Sequence, residues 1–222
     1  MAPDPEIAAR GAAPYAPGMV ADVRIETVRG AALLPLLPAL GRLRTDVFRD
    51  YPYLYDGDPA YETTYLRTYA DSPGAAVIVA FAGDEPVGAS TCIPLAHETD
   101  NVTAPFRARG WDPARFFYFG ESVLRRAWRG RGIGVAFFAG REAHARAAST
   151  CDFACFCAVQ RPADHPARPA DHVPLDAFWR KRGYTPYPDL VCTMSWREVG
   201  AMAETTKPLA FWIGSLRGAP LP

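Results

Sequence analysis

The stretch RRAWRGRGIGVAFF, Arg125–Phe138, sets Gly130, Gly132 and Gly134 at alternate positions between arginines and an apolar run. Upstream, FFYFGESVL (116–124) is aromatic and β-branched and predicts a strand. Downstream, IGVAFFAGREAHARAA predicts a helix. Glycine lets a backbone approach a ligand with no Cβ in the way. A helix start offers unpaired N–H groups and the positive end of a dipole. That combination, with Arg129 and Arg131 beside it, suits a phosphate or pyrophosphate; a glycine-rich turn with solvated arginines fits the same residues. The spacing excludes two motifs. A P-loop needs GxxxxGK[ST], and no Lys-Ser or Lys-Thr follows. A GxGxxG dinucleotide fingerprint needs glycine at 135 or 137, which are Val135 and Phe137.

Working outward, ADVRIETV (21–28) predicts a first strand, and LLPLLPALGRLRTDVFRD (33–50) a helix in its second half, its start restricted by Pro35 and Pro38. Asp58 before Pro59 is a helix-start signal for 59–70. Residues 74–96 predict a hairpin around Gly83-Asp84-Glu85, and 97–115 a polar loop with one helical turn. After the glycine-motif helix come a strand at 151–159, an irregular proline-rich loop at 160–174, and a short helix ending at Gly183. Late strands follow at 184–196 and 207–216. Strands and helices alternate only in part, so the fold class is α/β or α+β around a mixed sheet. Residues 1–20 are expected to form a disordered lead-in, 21–216 one domain and 217–222 a tail.

Composition narrows the function. The 222 residues carry zero formal net charge, which argues against a general nucleic-acid binder. No apolar run is long enough to cross a bilayer, and the N-terminus has no signal-peptide pattern, so a cytoplasmic protein without membrane contact is expected. The five cysteines, Cys92, Cys151, Cys155, Cys157 and Cys192, form no CxxC pair and read as small core residues. No metal site is expected.

The run Arg129-Gly130-Arg131-Gly132-Ile133-Gly134 resembles the [RQ]-x-x-G-x-[GA] signature of the GNAT superfamily of acyl-CoA-dependent N-acetyltransferases, and FWRKRGY (178–184) is similar to that family's later FYxxxGF motif. The resemblance implies a central mixed, mostly antiparallel sheet, splayed between its fourth and fifth strands and flanked by helices. It implies acetyl-CoA as co-substrate. Arg129, Gly130, Arg131, Gly132, Ile133 and Gly134 would hold the pyrophosphate. Backbone at Val123, Leu124 and Arg125 would pair with the pantetheine arm and face the thioester oxygen.

On the same resemblance the function is transfer of an acetyl group to a small-molecule amine by direct attack. Acetylation of a protein or peptide, and a non-catalytic CoA-binding sensor, are the alternatives. Glu121 is the expected base; a structurally satisfied glutamate is the competing reading. The family's acid tyrosine falls on Trp179, whose indole has no useful acidic proton, leaving Tyr118, Tyr184 or solvent. Tyr53, Tyr55, Asp56 and Tyr61 are expected in the acceptor wall, tyrosine giving flat surface and carboxylates suiting an ammonium. The 97–114 segment would close the other side, with His97 and Glu98 near its base. His165 and His172, each beside an aspartate, are either contributors from the 160–174 loop or parts of its turns. A homodimer is compatible with this reading.

Overall fold

The computed structural model describes residues 19, 20 and 22–222; the expected lead-in over 1–18 lies outside them. Residues 19 and 20, read as lead-in, form the short strand β1 (Met19–Val20). It pairs with β2 (Val23–Val28), followed by α1 (Leu37–Phe48), α2 (Pro59–Asp71), β3 (Ala76–Ala82) and β4 (Glu85–Pro94). Then come α3 (Asp100–Ala108), β5 (Phe116–Tyr118), β6 (Ser122–Leu124), α4 (Ile133–Ala148), β7 (Phe153–Val159), α5 (Asp176–Arg180), β8 (Thr185–Arg197) and β9 (Glu204–Ser215). One sheet runs β1-β2-β3-β4-β5-β7-β9-β8, with β6 also on β4. Every pairing is antiparallel except β5 with β7. The expected mixed, mostly antiparallel sheet flanked by helices is the observed one.

Alternation along the strands sends side chains to two cores. Val77, Val79, Ile93, Phe116, Tyr118 and Phe211 face α1, α2 and α3. On the opposite face, Phe117, Phe119, Phe156 and Trp212 pack with Phe138 of α4, and Ile78 and Ala80 with Ile133 and Phe137. The five cysteines are buried and free. Asp58 caps α2 as its sequence predicts, its side chain accepting from the Ala60 N–H at 2.8 Å.

Two elements differ from the reading. The polar 97–115 segment holds the nine-residue helix α3, because Val102 and Phe106, one turn apart, bury a narrow stripe in an otherwise polar run. The single strand expected over 116–124 is broken. Between the pairs Ile93↔Tyr118 and Ser90↔Ser122, the three residues Phe119, Gly120 and Glu121 oppose only Thr91 and Cys92. This is a β-bulge, and the extra residue bends its strand.

Candidate active site

The bulge separates β6 from β7. β5 runs beside β7 as far as the Phe119 N–H, which donates to the Cys155 carbonyl at 2.8 Å. Beyond that rung β6 stays with β4, and β6 and β7 form a wedge whose two edges are unpaired among the described residues. Gly120 sits at its apex because nothing larger fits: a Cβ there would lie 2.5 Å from both Thr91 Oγ1 and Tyr69 OH.

The register shows which groups of β6 face the wedge. Arg125 N–H donates to Val87 O and Thr91 N–H to Glu121 O, each at 3.0 Å. Alternate pairs in an antiparallel ladder exchange hydrogen bonds, so residues 121, 123 and 125 spend their backbone groups on β4. The N–H and C=O of Ser122 and Leu124 point into the wedge. Of the expected backbone contacts, Leu124 faces the opening, whereas Val123 and Arg125 face the neighbouring strand. A strand has two edges, and spacing in sequence does not say which is covered.

At the mouth of the wedge the chain turns twice through left-handed backbone, at Gly130 (φ +77°) and Gly132 (φ +85°), before α4 begins at Ile133. Among the described residues, a Cβ on Gly130 would meet nothing within 4 Å, and one on Gly132 only Val20, at 3.5 Å. These glycines are therefore required by backbone conformation, and they leave an open, amide-lined cradle at a helix N-terminus. Arg129 donates to the Leu124 carbonyl at 3.1 Å, and Arg131 lies over the Trp128 ring at 4.8 Å. Gly134 packs against Phe178 of α5, 3.4 Å from where a Cβ would stand. The cradle, the exposed arginines and the free strand edge fit an anionic nucleotide with an extended amide-bearing arm.

On the opposite face of the sheet, Glu121 projects from the bulge beneath α1 and α2. It forms an ion pair with Arg44 of α1, which also binds Glu62 of α2. Glu121 Oε2 accepts from Tyr65 OH at 3.4 Å, and Tyr65 OH lies 3.1 Å from Tyr69 OH. The Arg44 guanidinium stacks over Tyr65 at 4.4 Å. Burial alone would lower the Arg44 pKa; Glu121, Tyr65 and Glu62 outweigh it and raise it. Burial raises the pKa values of Tyr53, Tyr65 and Tyr69, so these phenols stay protonated donors. Glu98, after β4, has its carboxyl raised above the ordinary value by burial, with the Glu121 charge adding to it.

The residues expected in the acceptor wall divide. Tyr53 packs on Phe48 and Trp196, at 4.6 and 5.9 Å between ring centres, with Glu121 among its charged neighbours. Tyr55 bridges to Glu198 on the β8 side. Asp56 is held by Arg197 at 2.9 Å and Arg49 at 3.4 Å, and Tyr61 is 62% exposed on α2. Neither belongs to the group around Glu121, whose aromatic members are Tyr53, Tyr65 and Tyr69. Helical phase explains this. Leu66 and Tyr69 lie on the buried stripe of α2, Tyr65 beside it, and Tyr61 points away.

Neither tyrosine offered as an acid is free. Tyr118 OH lies 3.2 Å from Cys157 Sγ, Tyr184 OH donates to Glu142 at 3.0 Å, and burial holds both well above their usual pKa. Trp179 packs edge-on against Phe156 of β7 and Trp212 of β9, at 5.1 and 5.0 Å. His165 and His172 flank the Tyr51 ring at 5.7 and 4.8 Å, and Arg161 ties their loop to the carbonyls of Pro52 and Tyr53 at 2.7 and 3.0 Å.

Arg44 and Arg141 escaped the sequence reading. Both follow apolar residues by one helical turn, Arg44 after Leu40 and Arg141 after Phe137, and a cation on a buried stripe was the available signal.

No protein-family profile and no curated protein matches the sequence. Solved structures do. The Salmonella typhimurium protein yncA, with its cofactor acetyl-CoA, superposes with a TM-score of 0.57 at 13% identity over 90% of this chain and 98% of its own. An N-acetyltransferase from Staphylococcus aureus gives 0.55 at 14% identity over 88% and 99%. Ribosomal-protein-alanine N-acetyltransferase from Brucella melitensis gives 0.53 at 17% over 86% and 98%. With its bulged strand, its wedge and its glycine-turned entry into α4, the chain has the fold of the GNAT acetyltransferases.

Proposed function

We propose that this protein transfers an acetyl group from acetyl-CoA to the amine of a small molecule by direct attack. The observation that carries the reading is the wedge between β6 and β7 opening beside the left-handed turns at Gly130 and Gly132. Amide groups at the start of α4 and the exposed Arg129 and Arg131 would bind the pyrophosphate. The backbone groups of Ser122 and the Leu124 N–H would bind the arm as an added strand does, the Leu124 carbonyl being held by Arg129. An amide on that edge would face the thioester oxygen, where charge develops during attack.

Glu121 is the base in this scheme. Arg44 occupies Oε1, so Oε2, toward Tyr65, is the oxygen that accepts the amine proton. The thiolate takes its proton from solvent, since Tyr118 and Tyr184 are committed elsewhere. Carboxylates at Glu121 and Glu98 among phenols suit an ammonium before it loses its proton. The 160–174 loop, pinned over Pro52 and Tyr53, roofs the acceptor side and favours a small amine over a peptide.

Gly132→Asp tests the cradle. Aspartate tolerates left-handed backbone better than most residues, so the fold should survive while its carboxylate meets the pyrophosphate. Calorimetry should show acetyl-CoA affinity falling by orders of magnitude, and unchanged affinity in the folded variant would remove the cradle from the site. A thiol-release screen of amines, polyamines, amino acids and peptides would then identify the acceptor.

A further inference from the structure

Arg141 stands on the sheet-facing side of α4 and is 2% exposed. Its guanidinium carbon lies 4.4 Å from the centre of the Phe119 ring and 4.6 Å from that of Phe138. Among the described residues it makes no ion pair, and its buried Nε has no hydrogen-bond partner. Among the described residues Arg182 also has a buried Nε without a partner, but it is half-buried and donates to the Phe178 carbonyl at 2.6 Å, and three other enclosed cations are matched. Arg44 has two carboxylates, Arg161 has Glu198 at 2.6 Å, and Lys207 has two carbonyls, the farther at 2.8 Å. An enclosed charge without a partner is costly, and aromatic faces repay only part of that cost.

Its place in the fold indicates the missing anion. Phe119 supplies the last rung before β6 and β7 part, so the guanidinium lies beneath the apex of the wedge. Arg141 is eight residues beyond the start of α4, about 12 Å along the axis at the usual rise per residue. An arm whose pyrophosphate rests on that helix start and which runs into the wedge ends near this point.

We propose that Arg141 stabilises the sulfur of coenzyme A as an anion, holding the negative charge that collects on the thiolate as the thioester breaks. This rests on the acetyl-CoA reading above. In the step itself the amine nitrogen forms a bond to the acetyl carbon and the carbon–sulfur bond breaks. The electron pair goes to sulfur, and the amine proton goes to the Glu121 carboxylate. Arg141 transfers no proton. The arrangement accounts for Trp179: with a fixed cation at the apex, the leaving sulfur needs no acid at that position. Burial pushes the guanidinium down to about 10, so it is charged at neutral pH. The titratable groups facing it are Tyr184, Cys92, Glu142 and, across the sheet, Glu121; Tyr184 and burial-raised Cys92 remain neutral near pH 7.

The test requires no acceptor. Affinities of CoA and desulfo-CoA, which lacks the thiol, are measured by calorimetry between pH 6 and 9.5 for wild type, Arg141→Met and Arg141→Lys. A cysteine thiol titrates near pH 8.5, and the aliphatic thiol of CoA, with no peptide group on the adjacent carbon, titrates higher. If Arg141 faces the sulfur, the bound thiol titrates at least one pH unit lower than the free one. The affinity of CoA relative to desulfo-CoA then rises several-fold with pH across the range in wild type, less in Arg141→Lys, and not at all in Arg141→Met. Equal, pH-independent binding of the two ligands to wild type overturns the proposal and leaves the acetyl-CoA reading standing; this arm decides even if Arg141→Met does not fold. A gain that persists in Arg141→Met assigns the effect to another group and also overturns it. Failure of both ligands to bind wild type at any pH removes the acetyl-CoA reading, and the proposal with it.

Discussion

Glu121 lies in the bulge and Glu98 a few residues past the end of β4, and their surroundings differ. Glu121 is paired with Arg44 and accepts from Tyr65, so Glu121→Gln removes a proton acceptor while keeping its shape. Turnover should fall by roughly 10²–10⁴-fold, the usual range for general base catalysis, with acetyl-CoA affinity unchanged; an unaltered rate would exclude Glu121 from proton transfer. Glu98 has no ion pair among the described residues, and burial raises its carboxyl. The sign follows from linkage. Above its unfolded pKa and up to its folded pKa, the native state binds more protons than the unfolded chain, so this group's stabilisation is lost as pH rises through that window. Glu98→Gln should therefore unfold at higher urea than wild type at pH 7, with the two converging at pH 4. A larger gap at pH 4 than at pH 7 would contradict the burial of this carboxyl.

The bulge is the element on which the site depends. Three residues opposite two bend β5 away from its own continuation, and Gly120 lets Tyr69 and Thr91 close over the bend. In Gly120→Ala the new Cβ meets two polar oxygens at 2.5 Å. Overpacking of this kind costs about 1–3 kcal/mol, measurable by urea unfolding. The Tyr69 hydroxyl must move, so its contact with Tyr65 should be disturbed as well. Stability equal to wild type would mean that the apex is looser than this geometry. Gly183 ends the second motif differently. Its φ of +81° and the Tyr184 N–H to Trp179 O bond at 3.2 Å close a left-handed helix stop. That turn brings Tyr184 and Trp179 onto the same side of β7.

Across the whole molecule, segments far apart in sequence meet over the face of the sheet that carries Glu121. Arg161 joins the 160–174 loop to Pro52, Tyr53 and Glu198, Arg126 joins the same loop to the glycine turn through Asp171 at 3.4 Å, and Trp196 donates to Tyr53 O at 2.9 Å. Arg161 is the most enclosed charged link among these, its side chain 10% exposed. Arg161→Ala should expose backbone carbonyls at 52 and 53 and leave Glu198 without its closest cation, costing about 3–5 kcal/mol as removal of one partner of a buried pair does. Hydrogen exchange should rise in 160–174 and around 53–55 together. A rise confined to one segment would show that they are not held as a unit.

The sequence by itself determined the elements whose signals are local. Asp58-Pro59 started a helix, Gly83-Asp84 turned a hairpin, and Gly130 and Gly132 marked backbone that only glycine adopts readily. The glycine turn and the strand and helix on either side were legible from one short stretch because turn chemistry and periodicity act over a few residues. What only the tertiary structure decided depends on neighbours distant in the chain. The bulge at 119–121 exists because β4 offers two residues against three, and no property of FFYFGESVL records that count. The same is true of the free edge at Ser122 and Leu124, of the displacement of Asp56 and Tyr61 by Tyr65 and Tyr69, and of the contrast between Arg44 and Arg141. Helical phase can place a cation on a buried face. Whether a carboxylate waits there is settled by packing between elements.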